Sequence, residues 1–432
     1  MTKAKGAAMR RIQAGNVLSA FGLGFTVPYL YVYVAQVREL GASTAGAVLA
    51  VFAMAALVAL PFTGRIIDRR GPLPVLVGAA GLASAGAAGM GLSGSVPAVV
   101  LSAAVLGAGT AVMQPALATM IVWCSETATR TRAFATQFFL QNLGLGVGGL
   151  IGGHIVDESR PSSFTLLFGI EAVMFLVLAG IALTVRLPHS PALPGRRPAD
   201  TEAAAKGGLR VLLGHRAMVQ LLVLGFVVFF ACYGQFESGL AAYGTEAAGI
   251  EPATLGTALA ANTAVIVLAQ FLVLRFVEHR RRSRVIASVG LIWAVAWLAA
   301  GYAGLGHGSQ AMATAAFIST YALFGLGEAM LSPTVAPLVA DLAPKAMVGQ
   351  YNSAFALVKQ LALAVGPAVG GPMGAALHGP YIVTFVLFSL SITVLALRLG
   401  KRLSPAQDRP SLAAKARVVA VHKPEGAVAP AR

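Results

Sequence analysis

The sequence predicts an all-α membrane protein: twelve transmembrane helices in two pseudo-symmetric six-helix bundles. Three observations predict it: a composition too apolar for a soluble domain, a one-sided distribution of lysine and arginine, and an internal repeat. Of 432 residues, 57% are hydrophobic and 11% charged, with a mean hydropathy of +0.77. A soluble domain carries about a quarter charged residues, so this chain cannot cover its own surface in water. The 49 glycines fit the same class, because small residues bring membrane helices close together. Cys124 and Cys232 stand far apart in separate apolar segments. They offer neither a disulfide framework nor metal-ligand spacing, so no metal site is expected.

A membrane-crossing helix needs about 20 apolar residues. That window places spans near 13–35, 44–64, 74–93, 97–122, 133–155, 164–185, 217–240, 253–276, 285–304, 311–335, 350–375 and 380–399. Lys3, Lys5, Arg10 and Arg11 precede the first run, but no small-residue cleavage site follows Phe21, so it reads as an uncleaved first helix. With the N-terminus placed inside, all but three of the 32 lysines and arginines fall in cytoplasmic segments. The exceptions are Arg38 and Arg160 on the opposite side and Lys359 within a span. This is the bias of the positive-inside rule, and one helix more or fewer destroys it. The net charge of +16 is therefore read as topology and attraction to anionic membrane lipid, not as nucleic-acid binding. The expected setting is a bacterial inner (cytoplasmic) membrane, with both termini cytoplasmic. The chain divides into an N-terminal bundle, 1–186, a Pro- and Arg-containing cytoplasmic linker, 187–216, a C-terminal bundle, 217–402, and a disordered cytoplasmic tail, 403–432.

Shifting the chain by 218 residues lays Gly107-Ala-Gly109 and Pro115 on Gly325-Leu-Gly327 and Pro333. The same shift lays Val147-Gly148 and Gly152-Gly153 on Val365-Gly366 and Gly370-Gly371. A shift of 210 lays Arg65-Ile-Ile-Asp68-Arg69-Arg70 on Arg275-Phe-Val-Glu278-His279-Arg280. Matched proline, paired glycines and a charged loop are hard to obtain from low complexity alone. Two homologous halves in one chain are a transporter architecture, with a site near the midplane and access alternating as the halves rock.

Gly64-Arg-Ile-Ile-Asp68-Arg69-Arg70-Gly71, between the second and third spans, resembles motif A of the major facilitator superfamily. The twelve spans, the basic linker and the degenerate copy at 275–282 extend the resemblance over the whole chain. The basic pair usual after the second glycine is here Leu73-Pro74. The resemblance implies the major facilitator fold, and a gating loop in which Gly64 and Gly71 permit a tight turn. It also implies that Asp68 accepts bonds from the N-terminal amides of helix 11, near Asn352 and Ser353. The competing reading is a charged turn needed only for topology. Gly144, Gly148, Gly149, Gly152 and Gly153 resemble the antiporter motif C, with Gly149 where the family often has proline. The second-half copy, Gly366-Pro367 with Gly370 and Gly371, keeps that proline. These positions are expected to pack helices 5 and 11 against their neighbours, with Pro367 able to bend its helix. Motif B's helix-4 arginine is absent, Ala103 standing four residues before Gly107.

Ionisable residues inside spans are the default functional candidates, because each is costly there unless paired or wet. Glu328 and Lys359 lie about 14 and 12 residues from the turn between antiparallel spans, so at 1.5 Å per residue they reach nearly equal depth. A buried ion pair coupled to proton or substrate occupancy is expected, a purely structural pair being the alternative. Glu237 is a further proton-coupling candidate, and Glu171, in the peripheral sixth span, a weaker one. Tyr29, Tyr33, Gln114, Gln137, Gln141, Asn142 and Gln235 are candidates for the wall of a substrate cavity suited to amphipathic organic solutes. No nucleotide loop, nucleophile elbow or other catalytic set is visible, so the chain is not read as an enzyme. The resemblance to the drug–proton antiporters implies efflux of a drug or metabolite, driven by a proton gradient without any cofactor, by a monomer. The rivals are a proton symporter importing a nutrient and a non-transporting receptor or scaffold.

Overall fold

The computed structural model describes residues 3–26, 29–157, 160–187, 208–236, 238–306 and 309–409. The first bundle holds α1 (Lys3–Thr26), α2 (Leu30–Val32, continued by a π turn to Val37), α3 (Ala42–Arg70), α4 (Pro72–Leu92), α5 (Val96–Cys124), α6 (Thr127–Ile155) and α7 (Pro161–Leu183). The second holds α8 (Gly208–Gly214), α9 (Arg216–Ala231), α10 (Gly239–Glu246), α11 (Pro252–Val277), α12 (Arg282–Ala303), α13 (Gln310–Leu342), α14 (Val348–Ala376), α15 (His378–Gly400) and α16 (Pro405–Asp408). Most of the expected linker and the tail beyond Arg409 lie outside the described residues, as does Glu237.

Among the described residues, nine single helices are long and apolar enough to cross a membrane, and the bent pairs α1/α2 and α8/α9 raise this to eleven. The twelfth crossing is α6, 29 residues long. Arg130, Arg132 and its glutamines hold its hydropathy down, and it packs against α1, α11 and α13. α8 meets α9 at 84°, so the linker's end turns sharply into the seventh crossing.

Several helices outrun their apolar windows. α3 continues from the expected end at 64 to Arg70, and α13 from 335 to Leu342. A hydropathy window sees the stretch that suits hydrocarbon, whereas the backbone ladder continues into the polar interface. Two expected spans are bent or broken instead. The first joins α1, described to Thr26, with α2, from Leu30, at 44°. The seventh, expected unbroken over 217–240, stops at Ala231. There Gly234 lies against the backbone of Gly366, and the Gln235 amide donates to the freed Phe230 carbonyl at 3.0 Å.

The repeat is visible in the coordinates. Ala42 and Pro252, which open α3 and α11, differ by the shift of 210. Gly107 lies so close to the Phe52 carbonyl that a Cβ has no room, and Gly325 stands in the same relation to Asn262. Each pair of positions is related by the two sequence shifts. α4 packs on α5 and α7, and α12 on α13 and α15. Across the molecule α3 meets α14, and α6 meets α11.

The halves differ in filling. The second is built on fully buried rings, among them Trp293, Trp297, Phe317 and Tyr321, with Trp297 stacked on Phe385 at 4.8 Å. The first relies on small residues such as Ala79, Ala80, Ala83 and Ala87 along α4. Large apolar side chains such as Leu268 and Leu272 stay exposed on the outer faces, the arrangement hydrocarbon solvent favours.

Candidate functional site

Glu328 lies midway along α13 and is only 3% exposed. The Asn262 side-chain amide on α11 donates to its Oε1 at 2.8 Å and to the Tyr321 carbonyl at 3.2 Å. The Tyr233 hydroxyl faces the same carboxyl group. Lys359, on α14, is half-buried, and its Nζ sits 5.1 Å from the Phe229 ring centre, a cation–π distance. Phe229 is flanked by Tyr233 at 5.0 Å and Phe355 at 6.0 Å. The expected direct ion pair is corrected: no contact within 4 Å joins Glu328 and Lys359. Helical rise alone does not bring them together, because α14 packs chiefly on α9, α10 and α3, and much less on α13. The two charges remain within coulombic reach.

On the arginine-rich side the halves are latched together. Asp68 accepts from the backbone N–H groups of Gly349 at 2.6 Å and Gln350 at 3.0 Å, and from the Gln350 side chain at 3.1 Å. These are the free amides at the start of α14, where the helix dipole favours negative charge. Asn352 and Ser353, which marked this helix start in the sequence, lie about one turn further on, and the Asn352 side chain donates to the Val348 carbonyl and the Thr119 hydroxyl. Gly64 is also corrected: it is not a turn residue but part of α3, and a Cβ there lies 2.5 Å from Gln350 Cα. Only Gly71, with φ +86°, makes the turn. Arg69 and Arg70 are exposed and take no part in the latch.

Glu278 pairs with Arg132 at 3.2 Å. It is the repeat counterpart of Asp68, and Arg132 is that of Gln350, so the two contacts are pseudo-symmetric versions of one latch. Between them Asp341, at the end of α13, binds Arg130 from α6 and Arg282 at 2.6 Å. Arg282 also donates to Thr131 of the first bundle at 3.2 Å and to the Gln407 carbonyl at 3.1 Å. Asp408 accepts from the Ser283 backbone N–H at 2.9 Å, capping α12.

The model of the Major Facilitator Superfamily matches residues 14–367 and 243–426. The chain belongs to the Major Facilitator Superfamily. It is similar to the multidrug resistance protein MdtH of Aeromonas hydrophila, 25% identical over 77% of this chain and 80% of that protein. It is also similar to the uncharacterized MFS-type transporter YttB of Bacillus subtilis, 22% identical over 93% and 97%. The crystal structure of FucP in the outward conformation superposes with a TM-score of 0.77 at 14% identity, over 92% of this chain and 99% of that one. The chain is thus a multi-pass membrane transporter of this superfamily.

The glycine motifs of this superfamily member divide by helical face. Gly144 and Gly148 press against the backbone of α1 at Val17 and Phe21, and Gly152 against Phe25. Gly149 and Gly153 lie off that face; the Tyr29 hydroxyl lies 3.0 Å from a Cβ at Gly153 and donates to the Gly149 carbonyl at 3.2 Å. In α14, Gly366, Gly370 and Gly374 meet Gly234, Gln235 and Gly239, whereas Gly371 has open space around it and Pro367 is exposed.

Two cavity candidates, Tyr33 and Gln235, are corrected. Tyr33 is sealed at the far end of the first bundle, donating to the Met90 carbonyl at 3.0 Å and accepting from Arg38 at 2.7 Å. Gln235 mends the break in the seventh crossing and accepts from Tyr381 at 3.1 Å. Gln137 is 8% exposed. Tyr29, Gln141 and Asn142 are half-buried and Gln114 exposed. Sequence reasoning missed Asn262, a lone amide in an apolar span, whose polarity was the available signal. It counted Arg282 only as a topology charge, because nothing local marks Asp341 and Asp408 as its neighbours.

Proposed function

We propose that this superfamily member exports a small amphipathic organic compound by alternating access, with Glu328 carrying the coupling proton. The observation that carries this reading is a carboxyl group buried midway along its helix, within coulombic reach of a half-buried lysine and near an aromatic wall. Such a group is costly when ionised and cheap when neutral, so proton uptake on one side and release on the other are tied to the swing of the halves. The lysine and arginine bias supports a bacterial inner-membrane orientation with the latches and both termini in the cytoplasm. In that orientation the latches close the cytoplasmic side. Breaking the Asp68 and Glu278 contacts opens that side. Aromatic and amide groups favour an amphipathic solute over a phosphate, and the multidrug resistance relative supports the outward direction.

The test starts from a thermal-shift screen of amphipathic drugs and metabolites, since a bound substrate raises Tm by mass action. A hit is then followed in proteoliposomes under an imposed pH gradient. Wild type is expected to move the compound uphill, whereas Glu328→Gln keeps substrate exchange and loses the response to pH. Unchanged coupling in Glu328→Gln overturns the role given to this residue. Absence of any substrate counterflow in folded wild type overturns the transport reading.

A further inference from the structure

We propose that the substrate is an aromatic organic anion, and that Lys359 is the residue that binds its charged group. The proposal deepens the transport reading above and rests on it. Three charged side chains lie well inside the spans among the described residues: Glu171, Glu328 and Lys359. Glu171 is 0% exposed and Glu328 3%, whereas Lys359 is half-buried. The charge that a solute meets is therefore positive. Glu328 is already engaged by Asn262. Among the described residues Lys359 has no carboxylate within 4 Å, and its ammonium lies over the face of Phe229. A carboxylate or sulfonate completes the ammonium's unmet bonding, while an organic cation at that place faces a like charge in a poorly screened interior.

The surrounding rings supply the rest of the selectivity. Phe229, Tyr233 and Phe355 are all half-buried, unlike the sealed rings at Trp293, Trp297 and Phe317. They present a flat apolar surface beside the ammonium, the shape that an aromatic body stacks on.

This placement also fixes the sign of coupling. An ionised Glu328 competes with the bound anion for the Lys359 ammonium, so a proton on Glu328 strengthens anion binding. Among the described residues, the titratable groups facing Glu328 are Cys232 and Tyr233 at the end of α9 and Lys359 from α14. α11 contributes the amide of Asn262, and α12 the Trp293 ring beside Gly327. Lys359 is the only cation in that set. Proton and anion then travel in the same direction, so an imposed proton gradient pulls the anion with it, and net exit requires an outward anion gradient larger than the inward proton gradient.

The probes are 2-naphthalenesulfonate and 2-naphthyl-trimethylammonium, matched in body and opposite in charge. Their binding is measured to full-length protein in lipid nanodiscs. Wild type is expected to bind the sulfonate at least about tenfold more tightly than the ammonium, the scale of one charge-assisted contact. Lys359→Gln abolishes that preference, Lys359→Arg keeps it, and Glu328→Gln, which mimics the protonated acid, tightens sulfonate binding. The wild-type comparison needs no variant to fold. Equal or tighter binding of the ammonium, unchanged sulfonate binding in Lys359→Gln, or no binding of either probe overturns the proposal. Sulfonate binding without pH-coupled flux sinks the transport reading alone, and coupled flux of a cation sinks this inference alone.

Discussion

Asp68 shows how much one carboxylate can hold. Two backbone amides and a side-chain amide converge on it at 2.6 to 3.1 Å, all at the start of a helix that belongs to the other bundle. Asn in its place removes the charge and one acceptor. Asp68→Asn is therefore expected to raise the population open on the arginine-rich side by about five- to tenfold, the value of a charge-assisted bond partly replaced by a neutral one. Distances between spin labels at Arg69 and Lys345 read this out, and an unchanged distribution refutes it. Asp341 is the more costly residue to lose. Arg282 is 2% exposed at its side chain, and without Asp341 a buried guanidinium lacks its carboxylate. Asp341→Asn is expected to destabilise by about 3–5 kcal/mol, seen as a fall in Tm well beyond that of Glu278→Gln. Asp68 was legible in the sequence through its motif and its charge. Asp341 was not, because its partners come from α6 and α12, far away along the chain.

The helices obey a finer rule than their glycine motifs suggest. Gly148 and Gly149 are neighbours in one motif, yet a Cβ on Gly148 collides with the Phe21 carbonyl while one on Gly149 finds its nearest atom at 3.6 Å. Gly148→Ala is expected to lower Tm sharply by forcing α1 and α6 apart. Gly149→Ala is expected to be neutral or slightly stabilising, because alanine has the better helix propensity. The same contrast applies to Gly370, pressed on Gln235, and Gly371, which is open. Equal effects within either pair argue against the packing described. The spacing of four could be read from the sequence, but which phase of it faces a neighbour could not. A glycine-rich stretch offers several small faces, and only the partner helix selects one.

At the scale of the whole molecule, two pseudo-symmetric latches of unequal strength close the arginine-rich side. Asp68 is part-buried against a helix terminus, whereas Arg132 in the Glu278 pair is 69% exposed at its side chain. Exposed pairs contribute about 0–1 kcal/mol. Glu278→Gln is thus expected to shift the open population far less than Asp68→Asn, and the two changes together to shift it more than either. A larger effect from Glu278→Gln reverses this order. The twelve crossings and the division into two halves were determined by the sequence itself, because hydropathy and repeat are properties of local stretches summed along the chain. Only the tertiary structure decided that Glu328 and Lys359 stay apart, that Asn262 holds one and Phe229 the other, and that Tyr33 and Gln235 are sealed into the scaffold. Those outcomes depend on which helix lies beside which and on how each is turned about its axis, and neither is encoded by any one segment.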